Sequence, residues 1–187
     1  MAPDGRCHAG AAVNLYLACG MDRIEGYTHV DINPACKPDI IYDVLANKVW
    51  PWENVDDIQI KHFIEHIPHG DGKDMFIRFF ENCWLALKHN GTINIRYPWY
   101  SSIGAYADPT HHRVITPLTF SYLSRAWLED RKIQHYDIGC DFEVVQTSCE
   151  VSALVVSVPE SERETAISTM WNGAHEGMAT LRAIKTA

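Results

Sequence analysis

The chain has 187 residues, 47% hydrophobic and 21% charged, with a formal net charge of −8. That length buries a real core and fits one domain, while the acidic balance, with no run of basic residues, excludes a general coat for DNA or RNA. No apolar run reaches the ~18 residues of a membrane span, and six cysteines with neither a C-x-x-C pair nor a secretory leader read as free thiols in a reducing, cytoplasmic compartment.

Residues 1–12, small and polar, read as a loose lead-in to a single domain over 13–187. Residues 13–17 form a β-prone run that breaks at Ala18-Cys19-Gly20, and 28–32 form a second, closed by Asn33-Pro34. Residues 40–42 and 58–60 are a third and a fourth. About ten residues separate the first two strands, near the minimum for a parallel crossover, which leaves room for a turn but not a full helix. Phe76, Phe79, Phe80, Cys83, Trp84 and Leu87 recur at helical spacing, with Asn90-Gly91 as the stop. Residues 92–97 alternate apolar and polar side chains up to Pro98 and read as the fifth strand. Thr116-Pro117 opens a helix over 118–128. Residues 142–148 and 152–158 read as an antiparallel pair. The capping box Ser161-Glu162-Arg163-Glu164 then starts a last helix whose stripe of Ile167, Met170, Trp171, Ala174, Met178 and Leu181 faces the core or a dimer partner. This order predicts an α/β fold with a mostly parallel sheet and a C-terminal antiparallel hairpin.

The chemistry gathers at strand ends. Small residues at 18–20 let a ligand approach backbone N–H groups. Asp31, closing the second strand, can accept both hydroxyls of a ribose, because ligands of open α/β sheets bind beyond the carboxyl ends of the strands. Ile32 can pack on an adenine face, and Asp43, after the third strand, can accept from an exocyclic amine.

Leu17-Ala18-Cys19-Gly20, residues 26–32 and residues 38–43 resemble the first three motifs of class I S-adenosylmethionine (SAM)-dependent methyltransferases, specifically the small type 11-like branch. Trp50-Pro51-Trp52-Glu53, residues 62–68, residues 87–92 and Asp108-Pro109-Thr110-His111-His112-Arg113 with Thr116-Pro117 match the same branch in order, so the resemblance runs from Leu15 to Trp127. The chain departs from the pattern at Tyr16, where the branch has a polar or acidic residue, at Ala18, where it has glycine, and at 21–23, where further glycines are missing. The resemblance implies a Rossmann-like three-layer sandwich around a seven-strand sheet. It implies SAM as methyl donor, S-adenosyl-L-homocysteine as product, and an O or N acceptor on a small molecule, sugar or nucleotide. By carry-over, Leu17, Ala18, Cys19 and Gly20 lie near the methionine moiety and Asp31 holds the ribose. Ile32 and Val44 flank the adenine, Asp43 reaches its amine, and His62 stands near the sulfonium.

On the acceptor side, His111 is the candidate general base, with His112 and Asp108 as further catalytic candidates, because an imidazole titrates near neutral pH. The same loop also reads as a brace for the helix that follows. Trp99, Tyr100 and Tyr106 can wall a substrate pocket or act as core lids, and Arg113 can pair with Asp108 or anchor an anionic acceptor. His62-Phe63-Ile64-Glu65-His66 also fits the H-x-x-E-H pattern of a zinc hydrolase, but Pro68 cuts the segment short, and no metal is expected. A non-catalytic SAM- or nucleoside-binding module or partner subunit is the alternative to an enzyme. The expected state is a monomer or homodimer, without membrane or bulk nucleic acid as partners.

Overall fold

The computed structural model describes residues 12–46, 48–70 and 72–185. The lead-in expected over 1–12 lies, apart from Ala12, outside the described residues, as does Cys7. Seven strands form one sheet: β1 (Asn14–Leu17), β2 (Thr28–Asp31), β3 (Ile40–Ile41), β4 (Val55–Lys61), β5 (Leu87–Pro98), β6 (Phe142–Val151) and β7 (Ala174–Ala183). Their order is β3-β2-β1-β4-β5-β7-β6. The pairs from β3 through to β5 are parallel, whereas β7 runs antiparallel to both β5 and β6. The winding direction reverses between β1 and β4, which opens a crevice at the carboxyl ends of β1, β2 and β4.

The helices are α1 (Met75–Ala86), α2 (Gly104–Ala107), α3 (Pro117–Ser121), α4 (Arg125–Asp130), α5 (Ala153–Val156) and α6 (Arg163–Thr169). Asp74 caps α1 by accepting from Phe76 N–H, and the expected stripe holds at Phe76, Phe79, Phe80 and Cys83, which are buried, while Trp84 is half-buried and Leu87 already belongs to β5. Among the described residues no helix is long and apolar enough to cross a membrane, and the described cysteines are free thiols.

The sheet has two unlike faces. On β4, Val55, Ile58 and Ile60 are buried while Asp57, Gln59 and Lys61 alternate with them; β5 sets Ile93, Ile95 and Tyr97 against Thr92, Asn94 and Arg96. Parallel strands covered on both faces read as continuous apolar runs. These alternate because α1 and the α3–α4 segment cover one face, through Phe76, Phe79, Phe80, Phe120 and Leu123. The crossovers 18–27 and 32–39 wind the other way, toward the second face, and hold only turns and the 3-10 turn Pro34–Cys36. The third layer of the sandwich is therefore made of loops in the described residues. An open groove of about 240 Å³ runs over Gln59, Asn94, Arg96, Gln146 and Thr180. Asp57 anchors this polar face, accepting from Tyr27 Oη (2.7 Å), Asn94 Nδ2 (2.8 Å) and Thr92 Oγ1, and burial pushes its carboxyl up.

Four expectations change. The antiparallel partner of β6 is β7, at 174–183, and not 152–158, which forms α5 and a turn. The long terminal helix is consequently absent: α6 ends at Thr169, Asn172 takes φ 56°, and Gly177, Ala179, Leu181 and Ala183 are buried with the period of a strand. Gly177 is required there, since a Cβ would meet the Tyr97 ring at 2.4 Å. The helix expected over 118–128 splits into α3 and α4, with Ser124 capping the second through Trp127 N–H. Finally, α1 stops at Ala86, ahead of Asn90-Gly91, which instead lies inside β5 where it bulges against β4. A Cβ on Gly91 would stand 2.9 Å from the Val55 carbonyl oxygen.

Candidate active site

At the end of β1 the chain turns sharply, with Ala18 at φ 49° and Gly20 at φ 54°. A Cβ added to Gly20 would meet nothing within 4 Å, so open space adjoins the backbone there. Gly20 N–H donates to Asp31 Oδ2 and Asn33 N–H to Asp31 Oδ1, both at 2.8 Å. Asp31 is 9% exposed, yet each oxygen retains a lone pair for a further donor. Ile32, beside it, is exposed, and so is Asp43, whose Oδ1 accepts from Leu45 N–H at 2.9 Å. Leu17 and Cys19 are buried beneath this turn, and Cys19 N–H donates to Val30 O at 3.2 Å. Val44 is buried in the core, with its carbonyl accepting from Trp50 Nε1, so its side chain has little surface to offer an adenine. The sequence reading missed Arg23: its guanidinium donates to Gly20 O (3.0 Å), Lys37 O (3.0 Å) and Cys36 O, lashing the β1–β2 turn to the loop after β2.

Tyr16 lies under the same end. Its hydroxyl donates to Asp22 Oδ2 (2.9 Å), the oxygen that also accepts from Lys61 Nζ (2.7 Å). Lys61, then Tyr16, hold the Asp22 carboxyl down at about 2, and burial followed by Asp22 pushes the Tyr16 phenol up. The departure at Tyr16 therefore brings its own carboxylate, from the β1–β2 turn.

A second group forms where β4 and β5 end. His62, at φ 48°, projects an exposed imidazole whose Nε2 lies 3.0 Å from Glu176 Oε1; Glu176 also accepts from Arg96 Nη1 at 2.9 Å. The Glu65 carboxylate, against desolvation and with help from Glu176, holds the His62 imidazolium above its ordinary range. Glu65 sits in the 3-10 turn Ile64–His66 and is 2% exposed. Neither of its oxygens has a hydrogen-bond partner among the described residues; His62 Nδ1, at 3.6 Å, is an electrostatic neighbour only. Beside it, the His66 and His111 rings stand 4.6 Å apart, edge to face. The β4–β5 adjacency brings these residues together, and His112 N–H, donating to Glu65 O at 2.9 Å, ties the two loops.

The hydrogen bonds fix both rings. His111 Nδ1 faces Ala105 O at 3.1 Å, and a carbonyl only accepts, so Nδ1 carries the proton. Thr110 Oγ1 donates its one proton to Asp108 Oδ1 (2.7 Å) and so accepts from His66 Nδ1 (2.9 Å). In the neutral rings both Nε2 lone pairs are free of partners among the described residues. Of the catalytic candidates, His111 joins this cluster and Asp108 reaches it through Thr110. His112 contributes its backbone, with its imidazole exposed. The helical H-x-x-E-H pair does not form: the segment is a 3-10 turn, His62 is turned to Glu176, and His66 meets His111 instead.

The fold recurs in solved structures. A SAM-dependent methyltransferase from Archaeoglobus fulgidus matches with a TM-score of 0.62 at 20% identity, over 92% of this chain and 86% of that one. A candidate methyltransferase from Bacillus halodurans matches at 0.56 and 12% identity, over 93% of each chain. The O-methyltransferase of a trans-AT PKS multienzyme from Brevibacillus brevis, solved with S-adenosyl-L-homocysteine, matches at 0.54 and 13% identity, over 92% of this chain and 67% of that one. The fold is that of the SAM-dependent methyltransferases. No protein-family model and no curated protein matches the chain.

Within this methyltransferase fold the remaining candidates separate. Trp99 is buried, as a core lid would be, with Nε1 unpartnered. Tyr100 is half-buried, while Tyr106 is exposed, stacks at 5.6 Å on Trp171 and donates to Tyr100 O. Arg113 does not pair with Asp108. Its guanidinium donates to Ile67 O (3.0 Å) and Asp74 Oδ1 (3.1 Å) and lies over the Phe76 ring, so it braces the start of α1. It also edges a cavity of about 660 Å³, lined by Phe76, Ile77, Ile115, Leu118 and Tyr122.

Proposed function

We propose that the chain binds SAM across the carboxyl ends of β1, β2 and β3 and transfers a methyl group to an oxygen or nitrogen atom of a small-molecule, sugar or nucleotide acceptor held over β4 and β5. The observation that carries this reading is Asp31, buried, fixed by two backbone N–H groups, and left with a free lone pair on each oxygen beside the open space at Gly20. SAM supplies, when bound, a methyl group already activated on a cationic sulfur.

The protein's share is placement and proton removal. Asp31 takes the ribose hydroxyls, exposed Ile32 offers an apolar face for the adenine, and Asp43 accepts from its amine. The backbone at Ala18, Cys19 and Gly20, with Asp22 beside it, receives the amino-acid end. His62 stands at the adjoining end of β4 with its charge balanced by Glu65 and Glu176. Holding an acceptor in line lowers the barrier by up to about 7–11 kcal/mol in favourable cases. A hydroxyl or protonated amine must also lose its proton, and it does so at the Glu65–His66–His111 cluster, where free lone pairs converge. Tyr100 and Tyr106 border the acceptor space.

Calorimetric titration of SAM tests the reading, with Asp31→Ala as the comparison. Two hydrogen bonds to a charged acceptor are worth roughly 3 kcal/mol together, so the variant should bind about 100-fold more weakly. A folded wild type that takes up no SAM would end the proposal. Binding without turnover on any acceptor would turn it into a non-catalytic module.

A further inference from the structure

The Glu65–His66–His111 cluster carries more than a proton relay. A carboxylate that is 2% exposed and wholly without hydrogen bonds is costly, because burying a charge whose oxygens are left unsatisfied costs several kcal/mol or forces it neutral. The obvious remedy, the His62 imidazole, is drawn off to Glu176 and stays 3.6 Å away. The ligand atoms of Glu65, His66 and His111 nevertheless lie within 4.8 Å of one another. Both imidazoles have Nδ1–H spent on a backbone carbonyl or a hydroxyl, the outer-shell pattern that orients metal-binding histidines. The Thr110 hydroxyl is in turn held by Asp108, as second-shell groups are.

We propose that Glu65, His66 and His111 bind one divalent transition-metal ion, zinc in the first instance, as a two-histidine, one-carboxylate site with an open fourth position. Three N/O protein ligands and one open position make the usual composition of a reactive zinc centre. Tetrahedral bonds near 2.1 Å set ligand atoms about 3.4 Å apart, so the three side chains close by roughly 1 Å on the ion. His66 and His111 are partly exposed, which gives the ion a way in. The ion neutralises Glu65 and gives its unpartnered oxygens a ligand role. One consequence rests on the methyl-transfer reading: with the ion bound, the two histidines act as ligands and no longer as bases, and the open position selects a hydroxyl-bearing acceptor, whose oxygen coordinates and gives up its proton to solvent more readily.

Chelator-stripped protein titrated with Co²⁺, followed by its visible absorption, tests the site without SAM or turnover, so its outcome is separate from that of the methyl-transfer reading. Zn²⁺ then competes for the same site. One equivalent should bind, with d–d bands but no thiolate charge-transfer band. Outer-shell changes typically cost 10–100-fold, so Thr110→Val should weaken binding by that amount, and Glu65→Gln, His66→Ala and His111→Ala by at least as much. His135→Ala, at an exposed histidine on the far side of α4 in the chain, should leave it unchanged. Circular dichroism of each stripped variant separates lost ligands from lost fold, and near-isosteric Glu65→Gln keeps the test open should an alanine variant unfold. The proposal is overturned if folded wild type binds no stoichiometric Co²⁺, if binding survives His66→Ala and His111→Ala, or if a thiolate band shows the ion on cysteine.

Discussion

Asp31 and Glu65 are both buried carboxylates at the carboxyl edge of one sheet, on β2 and just past β4, and the fold treats them in opposite ways. Asp31 has both oxygens anchored by backbone N–H groups from turns that β1 and β2 themselves create. Glu65 has neither oxygen satisfied, while the histidines around it direct their protons elsewhere. The first is built like a finished binding surface, rigid before any ligand arrives. The second is unfinished, with ligand atoms of a carboxylate and two imidazoles within 4.8 Å of one another. On the proposed methyl-transfer reading, donor recognition and acceptor activation are separate devices on β2 and β4, with β1 between them, so each can be removed without the other.

The largest separation is expected in turnover. His111→Ala should lower turnover by about 10²–10⁴-fold, the usual worth of assisted proton removal, while the SAM dissociation constant moves less than about twofold. Single-turnover kinetics with calorimetry would read both; equal losses in rate and affinity would make His111 a brace and erase the division. The reciprocal variant comes next. Asp31→Ala should cost about 100-fold in SAM affinity and leave Co²⁺ binding at Glu65 unchanged. Loss of both activities would mean that the two ends form one structural unit.

The donor end was legible because it is local. A β-run ending in small residues and a second ending in Asp31 are both visible in the chain, and parallel pairing of β1 with β2 follows from their order. On the acceptor side His111 and Asp108 stood out in the chain, but their union with Glu65-His66 did not, because the two segments lie about 45 residues apart and only the neighbouring positions of β4 and β5 unite them. The H-x-x-E-H string drew attention to His62 instead. The usable signal was topological: loops following two adjacent parallel strands meet. The misread of β7 has another cause. Ala174 to Ala183 contains Gly177, a further alanine at Ala179, and helix-favouring Met178 and Leu181, so its propensity contradicts its place. Two strand partners, β5 and β6, override it. The open sheet face was readable all along in the alternation of 57–61 and 92–97, which a parallel strand covered on both sides does not show.

Stability should split the two carboxylates with opposite signs. In metal-free protein Glu65→Gln removes a buried charge without hydrogen bonds, at the loss of its 3.6 Å attraction to His62, and should stabilise by about 1 kcal/mol, or roughly 2–4 °C in melting temperature for a chain of this size. Asp31→Asn places an amide where Gly20 and Asn33 both donate, orphaning one N–H, and should destabilise by about 1–3 kcal/mol. Melts in chelator and again with excess Zn²⁺ would check this: the ion should raise the wild-type melting temperature and not that of Glu65→Gln.

The smallest effect tests whether the donor end is as self-sufficient as Asp31 suggests. Asp22 has its carboxyl lowered from 3.8 to about 2 by Lys61 and Tyr16. A depressed carboxyl stabilises the folded state above its unfolded value and loses that contribution as pH falls toward the folded one. Asp22→Asn should therefore be less stable than wild type at about pH 5, and the gap should close near pH 2. Half of the Asp22 side chain is exposed, so solvent screening holds the gap below about 1 kcal/mol. Urea titrations at both pH values measure it. A gap that persists unchanged at the acid end would show that Asp22 acts through the shape of the β1–β2 turn and not through its charge, and the carboxylate offered beside Tyr16 would then be a structural strut of the donor site.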